Sequence, residues 1–241
     1  MKSRQNGQEI AAFVFDMDGL LVETESIHVR AFEEFMRRRG KALPPGYAAK
    51  LVGYSIADNI ELLKRDVGLA GDTDALARER SDLYLEMLKT ERIEPMPGVR
   101  ELLDFAERQR VKKAVCSSSE RAQLDAILPR MLAALGRRAS PEEFFAAVIS
   151  GDGRARPKPA PDLYVKCAAA MGLEPGRCLA FEDSLAGAQA AAAAGMRVIA
   201  VPNLYSRGVA GWPASRVLSS LEKVLSEGVV TAVKGKVFLM D

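Results

Sequence analysis

The stretch Ala11-Ala12-Phe13-Val14-Phe15-Asp16-Met17-Asp18-Gly19-Leu20-Leu21-Val22 decides how this chain is read. Its first five residues form an apolar run rich in aromatic and branched side chains, the pattern of a buried parallel strand. Asp16 and Asp18 follow at once, and Gly19 then frees the backbone to turn. Strand residues alternate faces, so positions two apart aim into one cleft. Ligands of open α/β sheets bind just beyond the carboxyl ends of the strands, where these two carboxylates sit. Neighbouring carboxylates repel one another, and holding them together calls for a cation. A hard, oxygen-seeking ion such as Mg²⁺ answers that need and can carry a phosphate as well. Taken alone, the segment also fits a strand that ends in an acidic turn.

Working outward, strand-like apolar runs recur at residues 111–116, 144–149, 178–181 and 197–201, with helical patterns such as 99–109 and 162–171 between them. Such alternation predicts an α/β fold: a Rossmann-like three-layer α/β/α core around a parallel sheet. Three of the strand ends lead into polar residues. Val115-Cys116 runs into Ser117-Ser118-Ser119, the strand near Ile149 leads to Lys158, and Phe181 precedes Glu182-Asp183-Ser184. Hydroxyl, ammonium and a second acidic pair therefore converge on the cleft that holds Asp16. Lys158 by itself also reads as a solvated loop lysine, but the prolines on both sides stiffen its loop and favour a fixed role. Glu182 and Asp183 also suit the positive N-terminus of a helix beginning near Ser184, and the two roles are compatible.

The alternation breaks between residues 24 and 94, where the patterns are helical. Ile27, Ala31, Phe32, Phe35 and Met36 recur every three or four residues and form one apolar helix face. Gly40 and Pro44-Pro45 end that helix. Further helices are expected over 56–67 and 74–89, before Pro95 and Pro97-Gly98 lead back. The layout expected is a core of residues 1–22 and 96–241, with a small helical domain, 23–95, inserted after the first strand. The crossings at 22–24 and 94–96 are the natural hinges. The long connection 130–143 has room for an additional helix. The run Ala190–Ala194 reads as a helix packing closely on the sheet, and 229–239, centred on Lys234-Gly235, as a β-hairpin.

A chain of 241 residues makes one large or two modest domains. Its net charge of +2 is too mild to suggest nucleic acid or an anionic membrane, and Arg37-Arg38-Arg39 reads as a solvated helix end. Cys116, Cys167 and Cys178 sit in apolar settings and read as buried free thiols of a reducing compartment. No stretch approaches membrane-span length, and the N-terminal apolar run ends at Asp16, unlike a secretion signal. A cytoplasmic protein is the expectation.

The segments DMDGLLVETE, VCSSSE, RPKPAPDLY and FEDSLAGAQAA resemble, in order and spacing, the four motifs of the haloacid dehalogenase superfamily. The likeness is to its branch of phosphatases and phosphomutases with a small helical cap. By this resemblance Asp16 is the nucleophile and forms an aspartyl-phosphate, and Asp18 is the general acid–base. It implies Mg²⁺ held by Asp16, Asp183, the backbone carbonyl of Asp18 and, directly or through water, Glu182. Ser117 would bond a phosphate oxygen, and Lys158 would neutralise phosphate and Asp16. Breaking a carbon–halogen bond needs no proton for the leaving halide, and the dehalogenase pattern lacks the second aspartate, so Asp18 favours phosphate chemistry.

The resemblance further implies substrate contacts from Thr24, His28, Gly53 and Arg80 in the cap, and from Ser118, Ser119 and Arg121 after the second motif. His28, the only histidine, also reads as a helix residue packing beside Phe32 and Phe35. Arg80 and Arg121 also read as ordinary helix-surface residues. The mutase pattern has an arginine where this chain has Ile56, and a basic residue where it has Glu120. Those departures weaken the grip on a bisphosphate. The function implied is therefore Mg²⁺-dependent hydrolysis of a small phosphorylated metabolite, a sugar phosphate, by a monomer or weak homodimer. A β-phosphoglucomutase-like mutase is the alternative. A non-catalytic binding protein comes third, against the completeness of the chemical set.

Overall fold

The computed structural model describes residues 8–51, 54–151 and 155–240. In chain order the elements are β1 (Gln8–Ile10), β2 (Ala12–Phe15), α1 (Glu25–Arg37), α2 (Ala48–Leu51), α3 (Ile56–Val67), α4 (Thr73–Leu88), α5 (Val99–Arg108) and β3 (Lys112–Cys116). Then come α6 (Arg121–Ala134), α7 (Pro141–Phe144), β4 (Ala147–Ile149), α8 (Asp162–Ala170), β5 (Cys178–Glu182), α9 (Leu185–Ala193) and β6 (Arg197–Ala200). The chain continues through β7 (Arg216–Val217), α10 (Glu222–Ser226), β8 (Val230–Val233) and β9 (Lys236–Leu239).

The main sheet has the strand order β4-β3-β2-β5-β6-β7, with every neighbouring pair parallel. All four residues of β2 are buried, because the central strand is covered on both faces. Alternation sorts them. Phe13 and Phe15 face a layer that includes Leu102 and Leu103 of α5 and Leu124 and Ile127 of α6. Ala12 and Val14 face Leu163 and Cys167 of α8 and Ala188 and Ala191 of α9. This is the α/β/α arrangement expected from the alternation. The three cysteines are free and buried.

Between β2 and α5 the described chain is helical and has its own apolar core. Phe32, Phe35 and Met36 of α1 meet Ile60 and Leu63 of α3 and Leu76 and Leu83 of α4. The two crossings are tied together. Val22 bridges Asp18 on one side and Pro95 on the other, and the Met96 amide donates to the Leu21 carbonyl at 2.9 Å.

The hairpin expected at the C-terminal end is present as β8 and β9, turning through Lys234 and Gly235, both with positive φ. It also pairs with β1, making a separate three-stranded antiparallel sheet in the order β1-β9-β8. One expectation needs correction. Residues 144–149 are not one strand: Phe144 closes α7, and only Ala147–Ile149 pair. The connection 130–143 opens on the last turn of α6, which carries Pro129, and it does hold the additional helix for which it has room. The additional helix is the single turn α7, fixed by a Ser140–Glu143 capping box. Among the described residues, no helix is long and apolar enough to cross a membrane.

Candidate active site

The site lies at the carboxyl ends of β2, β3 and β5, under α1. Its cavity, about 60 Å³, is lined by Asp16, Asp18, Glu25, His28, Ser117, Ser118, Ser119, Lys158, Asp183 and Ser184, with Phe32, Tyr54, Ile56 and Asn59 from the helical region. Tight turning makes this possible. Gly19 has φ 75°, and a Cβ there would run into Asp183 and the Asn203 amide.

Lys158 is nearly fully buried and joins three elements. Its Nζ donates to Asp16 Oδ1 at 2.6 Å, to Glu182 Oε1 at 2.6 Å and to the Cys116 carbonyl at 3.0 Å. Burial opposes its charge, but Asp16 and Glu182 outweigh that and hold it firmly protonated. Glu182 is spoken for: Tyr164 Oη donates to Oε1 at 2.5 Å and Ser184 Oγ to Oε2 at 3.1 Å. Asp183 accepts from Asn203 Nδ2 at 2.6 Å.

Asp16 and Asp18 sit in opposite surroundings. Burial, helped by the charges of Glu182 and Asp18, pushes Asp16 up to about 7 despite Lys158. For Asp18 burial is overcome by donors, His28 foremost with Thr24 and Ser119, and its carboxyl falls to about 2. Thr24 Oγ1 donates to it at 2.5 Å and Ser119 Oγ at 2.7 Å, while Ser117 Oγ stands 3.5 Å away. His28 Nε2 is 3.5 Å from Asp18 Oδ1. Arg80 Nη2 donates to His28 Nδ1 at 2.7 Å, which places the ring proton on Nε2, toward Asp18. Burial and the Arg80 charge lower the pKa of His28, so the ring is neutral.

The structure therefore brings together Asp16, Asp18, Ser117, Lys158, Glu182, Asp183, Ser118, Ser119 and His28. Thr24 and Arg80 do not line the cavity. Thr24 orients Asp18, and Arg80, fully buried over the Phe32 ring at 4.1 Å, orients His28. Arg121 lies outside the site: it pairs with Asp125 at 2.7 Å and with Glu142 on the outer face of α6. Gly53 falls outside the described residues. Sequence reasoning missed Glu25, Tyr54, Asn59, Tyr164 and Asn203. Glu25 was signalled by its place directly after Thr24, and Tyr164 by ending the Lys158 segment.

Asp16, Glu182 and Asp183 bring possible metal-ligand atoms within 4.8 Å of one another. Burial, then the charges of Asp16, Glu25 and Glu182, push Asp183 well up. Five buried carboxyl groups, Asp16, Asp18, Glu25, Glu182 and Asp183, face one ammonium, so a hard divalent cation fits this donor set.

A family model described as haloacid dehalogenase-like hydrolase matches residues 10–195. Protein CbbY of Rhodobacter capsulatus is 34% identical over 207 residues, covering 83% of this chain and 88% of that one. Fructose-1-phosphate phosphatase YqaB of Escherichia coli is 36% identical over 198 residues, covering 80% and 97%. The crystal structure of CbbY from Rhodobacter sphaeroides in complex with phosphate superposes with a TM-score of 0.79 at 28% identity, covering 90% and 96%. The strand order, the convergence of four chain segments on Asp16 and these likenesses agree: the chain belongs to the haloacid dehalogenase-like hydrolase family.

Proposed function

We propose that this enzyme is a Mg²⁺-dependent phosphatase that hydrolyses a small phosphorylated metabolite, a sugar phosphate, through an aspartyl-phosphate on Asp16. The carrying observation is the pair of carboxylates with opposed surroundings, Asp16 on Lys158 and Asp18 among hydroxyl and imidazole donors. It is a phosphoric monoester hydrolase. An Asp16 oxygen attacks phosphorus and the bond to the leaving oxygen breaks, with Asp18 supplying that oxygen's proton. Water then attacks the aspartyl-phosphate, Asp18 takes the water's proton back, and phosphate leaves with Asp16 restored. The donors around Asp18 favour its carboxylate, the form that the second half requires. Lys158 holds Asp16 in place and balances its charge, and Ser117 is positioned to donate to a phosphate oxygen. Asp16, Asp183 and the Asp18 carbonyl would hold Mg²⁺, with Glu182 as a direct or water-mediated ligand, and the ion would supply charge that draws electron density from the phosphate.

Sugar phosphates are favoured by the fructose-1-phosphate phosphatase relative and by a CbbY crystal structure in complex with xylulose-1,5-bisphosphate, 27% identical. Among the described residues lining the cavity, Lys158 is the one charged cation, and the apolar Ile56, the position that the mutase pattern makes an arginine, also lines it. A single phosphoryl group is the better fit. The test is phosphate release with Mg²⁺ across a panel of sugar mono- and bisphosphates, with Asp16→Asn as control. Release that needs both the metal and Asp16 is expected. Isomerisation of a hexose 1-phosphate primed by its bisphosphate, without release, would overturn the reading in favour of a mutase.

A further inference from the structure

The acid beside Asp183 in sequence, Glu182, has its oxygens engaged by Lys158, Tyr164 and Ser184. The acid with oxygens to spare is Glu25. It opens α1 directly after Thr24 and is 7% exposed, and its carboxylate has no hydrogen-bond or ion-pair partner among the described residues. It lines the cavity with Asp16, Asp18 and Asp183. A Cβ on Gly19 would come within 3.1 Å of Glu25 Cγ and would also meet Asp183 Oδ2, so the two acids flank one glycine. Asp18 and Asp16 push on the charge of Glu25, which in turn pushes on Asp183.

A buried carboxylate without a donor is costly, and packing it beside three more raises the cost. The Arg80 charge offsets part of that cost but gives Glu25 no hydrogen bond: the guanidinium Nη2 is spent on His28. Behind Glu25 a second cleft of about 470 Å³ opens, lined also by Glu23, Ser26, Asn203 and Tyr205. Glu25 thus stands between the acidic cluster and a route for water. Mg²⁺ dehydrates reluctantly and keeps several waters when bound, and those waters need acceptors.

We propose that Glu25 is a positioning residue of the cation site, its carboxylate accepting hydrogen bonds from water carried by Mg²⁺. This rests on the Mg²⁺-dependent reading above. It assigns the unpartnered acid a donor that arrives only with the ion, and it explains why the chain tolerates its cost.

The test is calorimetric titration of Mg²⁺ into wild type, Glu25→Gln and Glu25→Asp, with melting of the metal-free proteins beside it. Glu25→Gln should weaken Mg²⁺ binding ~10–100-fold, the usual effect of losing a partner that orients a metal's ligands. At pH 9, above the value of about 8 to which burial raises Glu25, it should also melt higher than wild type without metal, because one charge leaves the acidic cluster. Glu25→Asp, which keeps the charge and shortens the reach, should bind Mg²⁺ between the two. Unchanged Mg²⁺ affinity in both variants, with a lower melting point for Glu25→Gln, would overturn the proposal and leave Glu25 an acid serving the α1 dipole. Wild type that binds no Mg²⁺ would overturn the metal-dependent reading itself. Should Glu25→Gln not fold, Glu25→Asp binding Mg²⁺ as wild type does would overturn the proposal alone.

Discussion

At the scale of single residues, the site depends on how few positive charges it contains. Lys158 alone spans Asp16, Glu182 and the end of β3, so Lys158→Ala removes three contacts at once. Turnover by that variant should fall ~10²–10³-fold, the usual cost of losing one preorganised electrostatic contact. On the proposed mechanism, single-turnover kinetics should place the loss in formation of the aspartyl-phosphate, since Lys158 touches Asp16, the proposed nucleophile. Residue identities at the strand ends were legible because motif positions are local. What each side chain touches was not. Glu182 reads as a metal ligand in sequence and does join Asp16 and Asp183 in the acidic cluster, but that its oxygens also accept from Lys158 and Tyr164 was not legible. Arg121 reads as an anion grip, yet it turns outward because Asp125 one helical turn on and Glu142 on α7 offer it carboxylates.

At the scale of elements, α9 shows why an alanine-rich helix follows the acidic pair. Its small side chains let the helix sit against β5, and Gly187 is the closest point: a Cβ there would run into the Glu182 carboxylate. On helix propensity alone Gly187→Ala should stabilise by ~1 kcal/mol. Here the opposite is expected. The carboxylate must move, the Lys158 and Tyr164 bonds loosen, and both the melting temperature and turnover fall, turnover by roughly tenfold or more. Thermal melts and steady-state rates on the one variant check both parts. The long elements α3, α4 and α5 were legible to within a residue or so, and α1 by its apolar face though not by its bounds, because one such face repeats over several turns. Short ones were not. α7 and β4 share six residues that read as one apolar run, and a capping box decides where helix gives way to strand. Pairing of β1 with β9 joins residues more than two hundred positions apart, and no local pattern announces such a partner.

For the molecule as a whole, the crowded carboxyls couple cation binding to protons. In the metal-free protein Asp16 is held up near 7 and Glu25, by burial and then the Asp18 and Asp16 charges, near 8. A raised carboxyl stabilises the fold fully below its unfolded value and loses that contribution as pH rises through the folded one. The metal-free melting temperature should therefore fall between about pH 4.5 and 8. With Mg²⁺ present the slope should flatten, and Mg²⁺ should bind more tightly at pH 8 than at pH 6, releasing protons as it does. Titration calorimetry in buffers of different ionisation enthalpy measures that release directly. The outline of the sheet carries a different consequence. Its outermost strands are β4, three residues, and β7, two residues, and the small second sheet ends in β1, also three, and β8, four. Rows of open amide and carbonyl groups that short give an incoming strand almost nothing to template on, so the fold is guarded against edge-to-edge aggregation, and association between copies falls to side-chain surfaces.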